Sequence, residues 1–196
     1  MVGEPEDAAL LANQLTAPCL LIAAPTLDDG FFAQSVVLLL EHGADGTGGI
    51  VLNRPAPLDL NTLLQAAGLG KGGHDTRPVW IGGPVTPHAG LVLYRDEGGE
   101  RYEHDIEVVP GLRLSASMGL LREVAEGQGP QHFGLFLGRA GWGPGQLEKE
   151  MAEGSWLTAE PDLDLLFARD ADQVWNRALA GIGIDSHHLV RDHVEA

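Results

Sequence analysis

The chain has 196 residues, long enough for one domain with a sizeable core. Hydrophobic residues make up 44% and charged residues 20%, which excludes an intrinsically disordered chain. The formal net charge of -16 sets the surface against nucleic acid and anionic lipid, because DNA affinity rests mostly on phosphate neutralisation. The 12 Lys and Arg residues are spread along the chain and suggest no basic patch. The 27 glycines exceed the usual share of roughly 7% and predict many tight turns. Cys19 is the only cysteine, so no internal disulfide is expected, and its apolar surroundings mark it as a small buried hydrophobe. The N-terminus MVGEPEDAAL is acidic where a signal peptide needs a basic region, and no apolar run approaches the roughly 18 residues of a membrane span. The expected location is the cytoplasm, with no membrane association.

A single domain over 1–196 is expected, with a polar arm over about 1–14 and a polar tail over about 185–196. Leu20 to Pro25 reads as a buried strand closed by proline. Asp28, Asp29 and Gly30 form a turn, and Asp29 is placed to cap a helical turn through Phe31, Phe32 and Ala33. Ser35 to Glu41 is a second strand, His42 to Gly49 a hairpin-type loop, and Ile50 to Asn53 a third strand ended by Arg54-Pro55. Leu60, Leu63, Leu64 and Ala67 have helical spacing, with Asp59 as N-cap. Gly68, Gly70 and Gly73 match GxGxxG by letter, but they follow a helix where a dinucleotide fingerprint must follow a strand, so they are read as a loop. Val79 to Ile81 and Leu91 to Tyr94 read as strands, with the Gly82-Gly83-Pro84-Val85 turn between them. Ile106 to Val109 and Leu112 to Leu114 flank a Pro110-Gly111 hairpin turn. Met118, Leu121, Val124 and Ala125 mark one helix face, ended by Gly127.

The densest signal lies over Phe133 to Trp156. Phe133, Leu135 and Leu137 alternate with small residues as a strand does. Gly138, Gly141, Gly143 and Gly145 then bracket Trp142, and Pro144 is read as opening a helix that buries Leu147 and Met151 and ends at Gly154. A strand, a glycine turn and a helix start can cradle an anion, but the P-loop Lys and Ser/Thr are missing, and Glu148 and Glu150 oppose a phosphate there. Trp142 is read either as a core anchor or as a pocket wall. Beyond it, Leu163 to Phe167 is a short apolar segment, and Val174, Trp175, Ala178, Leu179 and Ile182 define an amphipathic helix. Strands and helices mix without regular βαβ alternation, which favours α+β over a doubly wound sheet.

No serine sits in G-x-S-x-G and no S-x-x-K occurs, so no nucleophile motif is evident. His187, His188 and His193 cluster with Asp192 near the C-terminus, but adjacent histidines point apart, and a polar tail is the better reading than a metal site. No cofactor and no metal are expected. Asp28, Asp29, His42, Asn53 and Arg54 gather at strand ends. Arg54, held extended before proline, is either a fixed guanidinium for an anionic ligand or an internal ion-pair partner.

With these residues in view, the sequence resembles the YqgE/AlgH family of bacterial proteins from about Leu15 to about Leu189. The resemblance is carried by Leu21 to Pro25, Asp28-Asp29 with Phe31-Phe32, Ser35-Val36, Gly49 to Pro55, Gly82 to Val85, Ala140 to Glu148, and Trp156. Gly30, Arg139 and Cys19 depart from the family pattern. The resemblance implies one α+β domain with a curved, largely antiparallel or mixed sheet packed against several helices. It implies regulation of transcription for some members, with no recognised DNA-binding motif. The reading is a non-catalytic regulatory or binding protein with a protein or small-molecule partner. The alternative is an enzyme or small-ligand-binding protein with a cleft at Asn53, Arg54, Gly83 and Trp142. In that alternative the Asn53-Arg54, Gly82-Gly83-Pro84 and Gly141-Trp142-Gly143 segments lie side by side, with Asp28 or Asp29 at the rim and His42 nearby.

Overall fold

The computed structural model describes residues 15–70, 75–99, 101–168 and 170–184. The expected N-terminal arm, the C-terminal tail with its histidines, and the loop at 71–74 lie outside the described residues. The strands are β1 (Cys19–Ala23), β2 (Val36–Gly43), β3 (Gly46–Val51), β4 (Pro55–Asp59), β5 (Pro78–Ile81), β6 (Val85–Arg95), β7 (Ile106–Val109), β8 (Leu112–Ser115), β9 (Phe133–Trp142) and β10 (Trp156–Ala159). The helices of the described residues are α1 (Leu60–Ala66), α2 (Met118–Glu126), α3 (Gln146–Ala152), α4 (Leu163–Leu166) and α5 (Ala171–Gly181). The fold is α+β, and among the described residues the strand pairings are antiparallel except for one parallel pair, β5 with β9. The chain forms two compact units, one from the segments up to Asn53 and from Ala140 onward, the other from Arg54–Arg139.

In the first unit the ladder runs β10, β1, β2, β3 and then the last residues of β9. Leu21, Ile22, Val36, Val37, Leu38, Leu39, Ile50 and Val51 are all fully buried. Burial of each such side chain contributes about 1.5–3 kcal/mol, so this apolar block is the unit's main support. Helix α5 packs Val174, Trp175, Ala178 and Leu179 inward, and the Trp175 indole N–H donates to Ala23 O at 2.8 Å. That bond ties the amphipathic helix to the first strand.

In the second unit β9 pairs with β6 on one side and β5 on the other, β6 continues to β8 and β7, and β4 pairs with β5. Helices α1 and α2 close one core with Leu60, Leu64, Leu120 and Val124 against Val79, Val92, Tyr94 and Leu135. Both helices start as the sequence predicts or allows. Asp59 accepts Thr62 N–H at 2.8 Å, and Ser117 accepts Gly119 N–H at 3.1 Å. Gly127 closes α2 in the left-handed region at φ 72.

Five expectations about elements are corrected. The 42–49 loop is only the two residues between Gly43 and Gly46, which pair with each other, so His42 and Thr47 to Gly49 are strand residues. Glycine here marks crowding between strands: at Gly46, φ 128, a β-carbon would stand 2.7 Å from Trp142 O. Likewise β9 includes Gly138, at φ 71, and Gly141 and extends to Trp142, so no loop begins at Gly138. Pro144 lies before the helix, whose N-cap is Gly145 at φ 73. On α2 the buried residues are Leu120 and Val124, and Met118 is 49% exposed because it opens the helix on the outer side. Strand β6 also starts six residues earlier than Leu91, with an irregular stretch between Val85 and Gly90.

Candidate functional site

Most of the residues expected at a site hold backbone in place. Asp29 Oδ1 accepts Phe31 N–H at 2.9 Å and Phe32 N–H at 3.1 Å, as a turn cap does. Asn53 is buried, accepts Val36 N–H at 3.0 Å and donates to Gln34 O at 2.9 Å. Those two bonds secure Gln34 in the left-handed region at φ 56, a conformation that costs energy for a residue with a β-carbon. Asp28 stands exposed in the same loop. In the second unit Arg54 O accepts Ile81 N–H at 2.7 Å, and its half-buried guanidinium has its pKa lowered by burial. Gly82 N–H donates to Leu137 O at 2.8 Å. A β-carbon at Gly82 would collide with Gly138 O, and one at Gly138 with Gly83 O. These glycines let two backbones touch.

The strongest convergence in the first unit lies where α3 meets the ends of β2, β3 and β9. His42 pairs with Thr47 and Thr47 with Trp142, which places the three in one cross-strand row. His42 Nδ1 is 2.7 Å from Thr47 Oγ1. Its Nε2 is 3.7 Å from Glu148 Oε1, too long for a direct hydrogen bond. Further along α3, Glu150 Oε2 accepts the indole N–H of Trp142 at 2.9 Å and that of Trp156 at 2.8 Å. Glu150 Oε1 accepts the Gln146 amide at 2.9 Å, and Gln146 Oε1 accepts Gly143 N–H at 3.0 Å. Phe32 completes a triangle with the two indoles, all three centroid separations being 5.7–5.8 Å. Trp142 is therefore a core anchor with a hydrogen-bonded polar edge, 5% exposed.

Chemically, a hydroxyl, an imidazole and a carboxylate in sequence have the parts of a nucleophile relay. Here Thr47 is buried under α3 and the carboxylate stands off from the ring, so the arrangement serves as a clamp between helix and hairpin. Asp29 (through Phe32), His42, Gly141 and Trp142 share this region. Asn53 serves the loop behind it, and Arg54, Gly82 and Gly83 belong to the other unit.

A second polar centre, in the other unit, was not anticipated. Asp105 Oδ2 accepts Tyr94 O–H at 2.6 Å, Tyr102 N–H at 3.1 Å and Arg113 Nε at 3.0 Å, while Oδ1 accepts the Arg113 Nη2 donor at 2.6 Å. The Arg113 and Asp105 side chains are 8% and 5% exposed. The Arg113 hydrogen bonds hold the Asp105 carboxyl well below the usual carboxylate range. Burial, then the Asp105 bond, pushes the Tyr94 phenol up. A lone Arg inside the buried run Leu112-Arg113-Leu114 was the sequence signal for this centre, since a buried guanidinium requires a carboxylate.

Comparison with known proteins agrees with this fold. An AlgH-like family model matches residues 20–187. A UPF0301 protein of Myxococcus xanthus is 42% identical over 175 residues, covering 89% of this chain and 94% of that one. A UPF0301 protein of Xanthomonas campestris is 39% identical, covering 91% and 93%. The solution structure of the AlgH protein from Pseudomonas aeruginosa aligns with a TM-score of 0.73 at 33% identity, covering 90% of this chain and 96% of that one. A crystal structure from Corynebacterium diphtheriae, at 22% identity and TM-score 0.70, shares the fold. The protein belongs to the AlgH-like, UPF0301 family.

Proposed function

We propose that this chain is a non-catalytic cytoplasmic binding protein that acts through a protein or small-molecule partner. Any effect on transcription, which its family resemblance implies, runs through that partner and not through direct contact with DNA. The observation that supports this reading is the use made of the reactive side chains. Asn53, Asp29, Glu150 and His42 each secure backbone or a neighbouring side chain, which is the role of a frame. The net charge of -16 supports the exclusion of DNA. The test is a fluorescence-anisotropy titration with duplex DNA in about 0.15 M salt, alongside a thermal-shift screen against metabolites. No saturable DNA binding is expected. Submicromolar saturation by one DNA sequence overturns the reading.

A second reading is a small-ligand site at Arg54, Gly82 and Gly83 in the second unit. It is favoured by the half-buried guanidinium of Arg54, a cation in a chain rich in acids. It predicts a metabolite that raises the melting temperature of the wild type but not of Arg54→Ala.

A further inference from the structure

We propose that the outer edge of β7 receives an extended, basic segment of a partner protein as an added strand. This rests on the reading above that the chain acts through a partner, and it names the surface and the partner's chemistry. Among the described residues β7 has a strand neighbour on one side only, β8. The backbone groups on its other side form an edge that can pair with another chain.

The side chains on this edge specify what pairs. Ile106 is 52% exposed, the most exposed large apolar residue among those described. It pairs with Leu114, so an added strand that places an apolar residue beside it extends an existing apolar row. The next residue, Glu107, presents a half-exposed carboxylate, with Arg113 Nη1 3.7 Å away on the inner side. Just before the strand, Glu103 is exposed as well, 3.5 Å from His104. An incoming strand that alternates apolar and basic residues meets Ile106 with the first kind and Glu107 with the second.

The same charges argue against a second copy of this chain as the occupant. Antiparallel pairing of β7 with its own copy brings Glu107 of each close to the other, and each chain carries a net charge of -16. Natural edges are often guarded by lysine and by bulges. This one has a register shift between Glu107 and Val109 but an acid where the guard is commonly basic. An acidic guard repels an acidic copy and admits a basic strand, so one charge both excludes and selects.

The test uses the full chain, amide hydrogen exchange and two short synthetic peptides, one alternating lysine with valine and one alternating glutamate with valine. The lysine peptide is expected to slow exchange at residues 106–109, and the glutamate peptide is expected to leave it unchanged. Glu107→Lys is expected to weaken the lysine peptide by about tenfold, measured at a temperature where the variant is folded, as a reversed interface charge does. Ile106→Thr is the second variant, expected to weaken both the lysine peptide and the protection. Equal protection by both peptides, no protection by the lysine peptide, or an unaffected Glu107→Lys overturns the proposal. Protection confined to other residues removes this edge while leaving the partner reading in place, and that reading falls separately on the DNA titration.

Discussion

Asp105 and Glu150, one in each unit, both gather donors from three neighbouring residues, but the donors differ in charge. Asp105 holds the Tyr94 phenol, the Tyr102 amide and the Arg113 guanidinium. Glu150 holds two indoles and a glutamine amide, all neutral. The first is a closed ion pair whose charge is cancelled where it lies. The second keeps a net negative charge in a half-buried position, stabilised only by dipoles. A carboxylate of the first kind is a joint, because removing either partner strands a charge in a place water does not reach. A carboxylate of the second kind is an orienter, because its loss frees indole N–H groups but strands no ion.

Asp105→Ala is therefore expected to have the largest effect, leaving the Arg113 guanidinium and the Tyr94 hydroxyl buried without their acceptor. Urea unfolding should show a larger fall in midpoint than for removal of any other described carboxylate. Removing both charges together, in Asp105→Leu with Arg113→Met, should recover part of the loss, since a well-packed apolar pair avoids desolvation. A double variant no better than Asp105→Ala would mean that the Tyr94 and Tyr102 bonds, and not the ion pair, carry the joint.

Glu150→Ala comes next. It leaves two buried indole N–H groups without an acceptor, at about 1–3 kcal/mol each. Glu150→Gln sharpens the point. Its carbonyl oxygen can still accept both indoles, but its amide then faces the Gln146 amide, donor to donor. Gln146 is not free to turn over, because its oxygen accepts Gly143 N–H. The expected cost is about 1 kcal/mol, read from the urea midpoint. A Gln variant as unstable as Ala would show that the charge itself matters.

The Asp105 centre has a pH signature of its own. The Asp105 carboxyl titrates lower in the folded chain than in the unfolded one, where such groups titrate near about 3.9. Its contribution is present above that value and is lost as pH falls through the lower, folded one. Tyr94 shifts the other way, up from about 10, so its contribution is present below that value and is lost as pH rises toward the folded one. Cys19, pushed up to about 11 by burial and by Glu160, adds to the same alkaline loss. Tyr94→Phe should shorten the alkaline limb of a stability-against-pH curve without abolishing it. An unchanged alkaline limb would place the effect on Cys19.

How much of this was legible in the sequence differs between the units. In both, apolar runs and caps located elements well: Leu20 to Ala23, Asp59 before α1 and Gly127 after α2 act as their chemistry dictates. Glycine misled the reading twice, at 42–49 and at 138–143, because a glycine in a strand and a glycine in a turn look alike until the neighbouring backbone is known. Gly46 and Gly138 are glycines because of what touches them, and that contact is long-range. For the same reason Glu150 stood only as part of a helix start, although Trp142 and Trp156 flank it and Gln146 lies four residues before it on the same face. Arg113 within an apolar strand was the one local sign of Asp105. Asn53 stands at a strand end in the sequence, but its role is to secure Gln34 and Val36, which sequence proximity does not reveal.

His42→Ala is expected to cost less than Glu150→Ala. The His42 contact with Glu148 at 3.7 Å is partly exposed, so His42→Ala should cost less than about 1 kcal/mol through that pair, with the Thr47 bond adding a comparable amount. Unfolding in urea at neutral pH measures it, and a loss several times larger would make His42 a joint like Asp105.

The central claim is that the Glu150 cluster is frame and not ligand site, and the thermal-shift response of Glu150→Gln tests it most directly. The variant and the wild type are screened against the same metabolites under the same conditions. The account predicts a lower melting temperature for the variant without ligand, with every ligand-induced rise seen in the wild type preserved. A ligand whose rise is present in the wild type and absent in Glu150→Gln would contradict it.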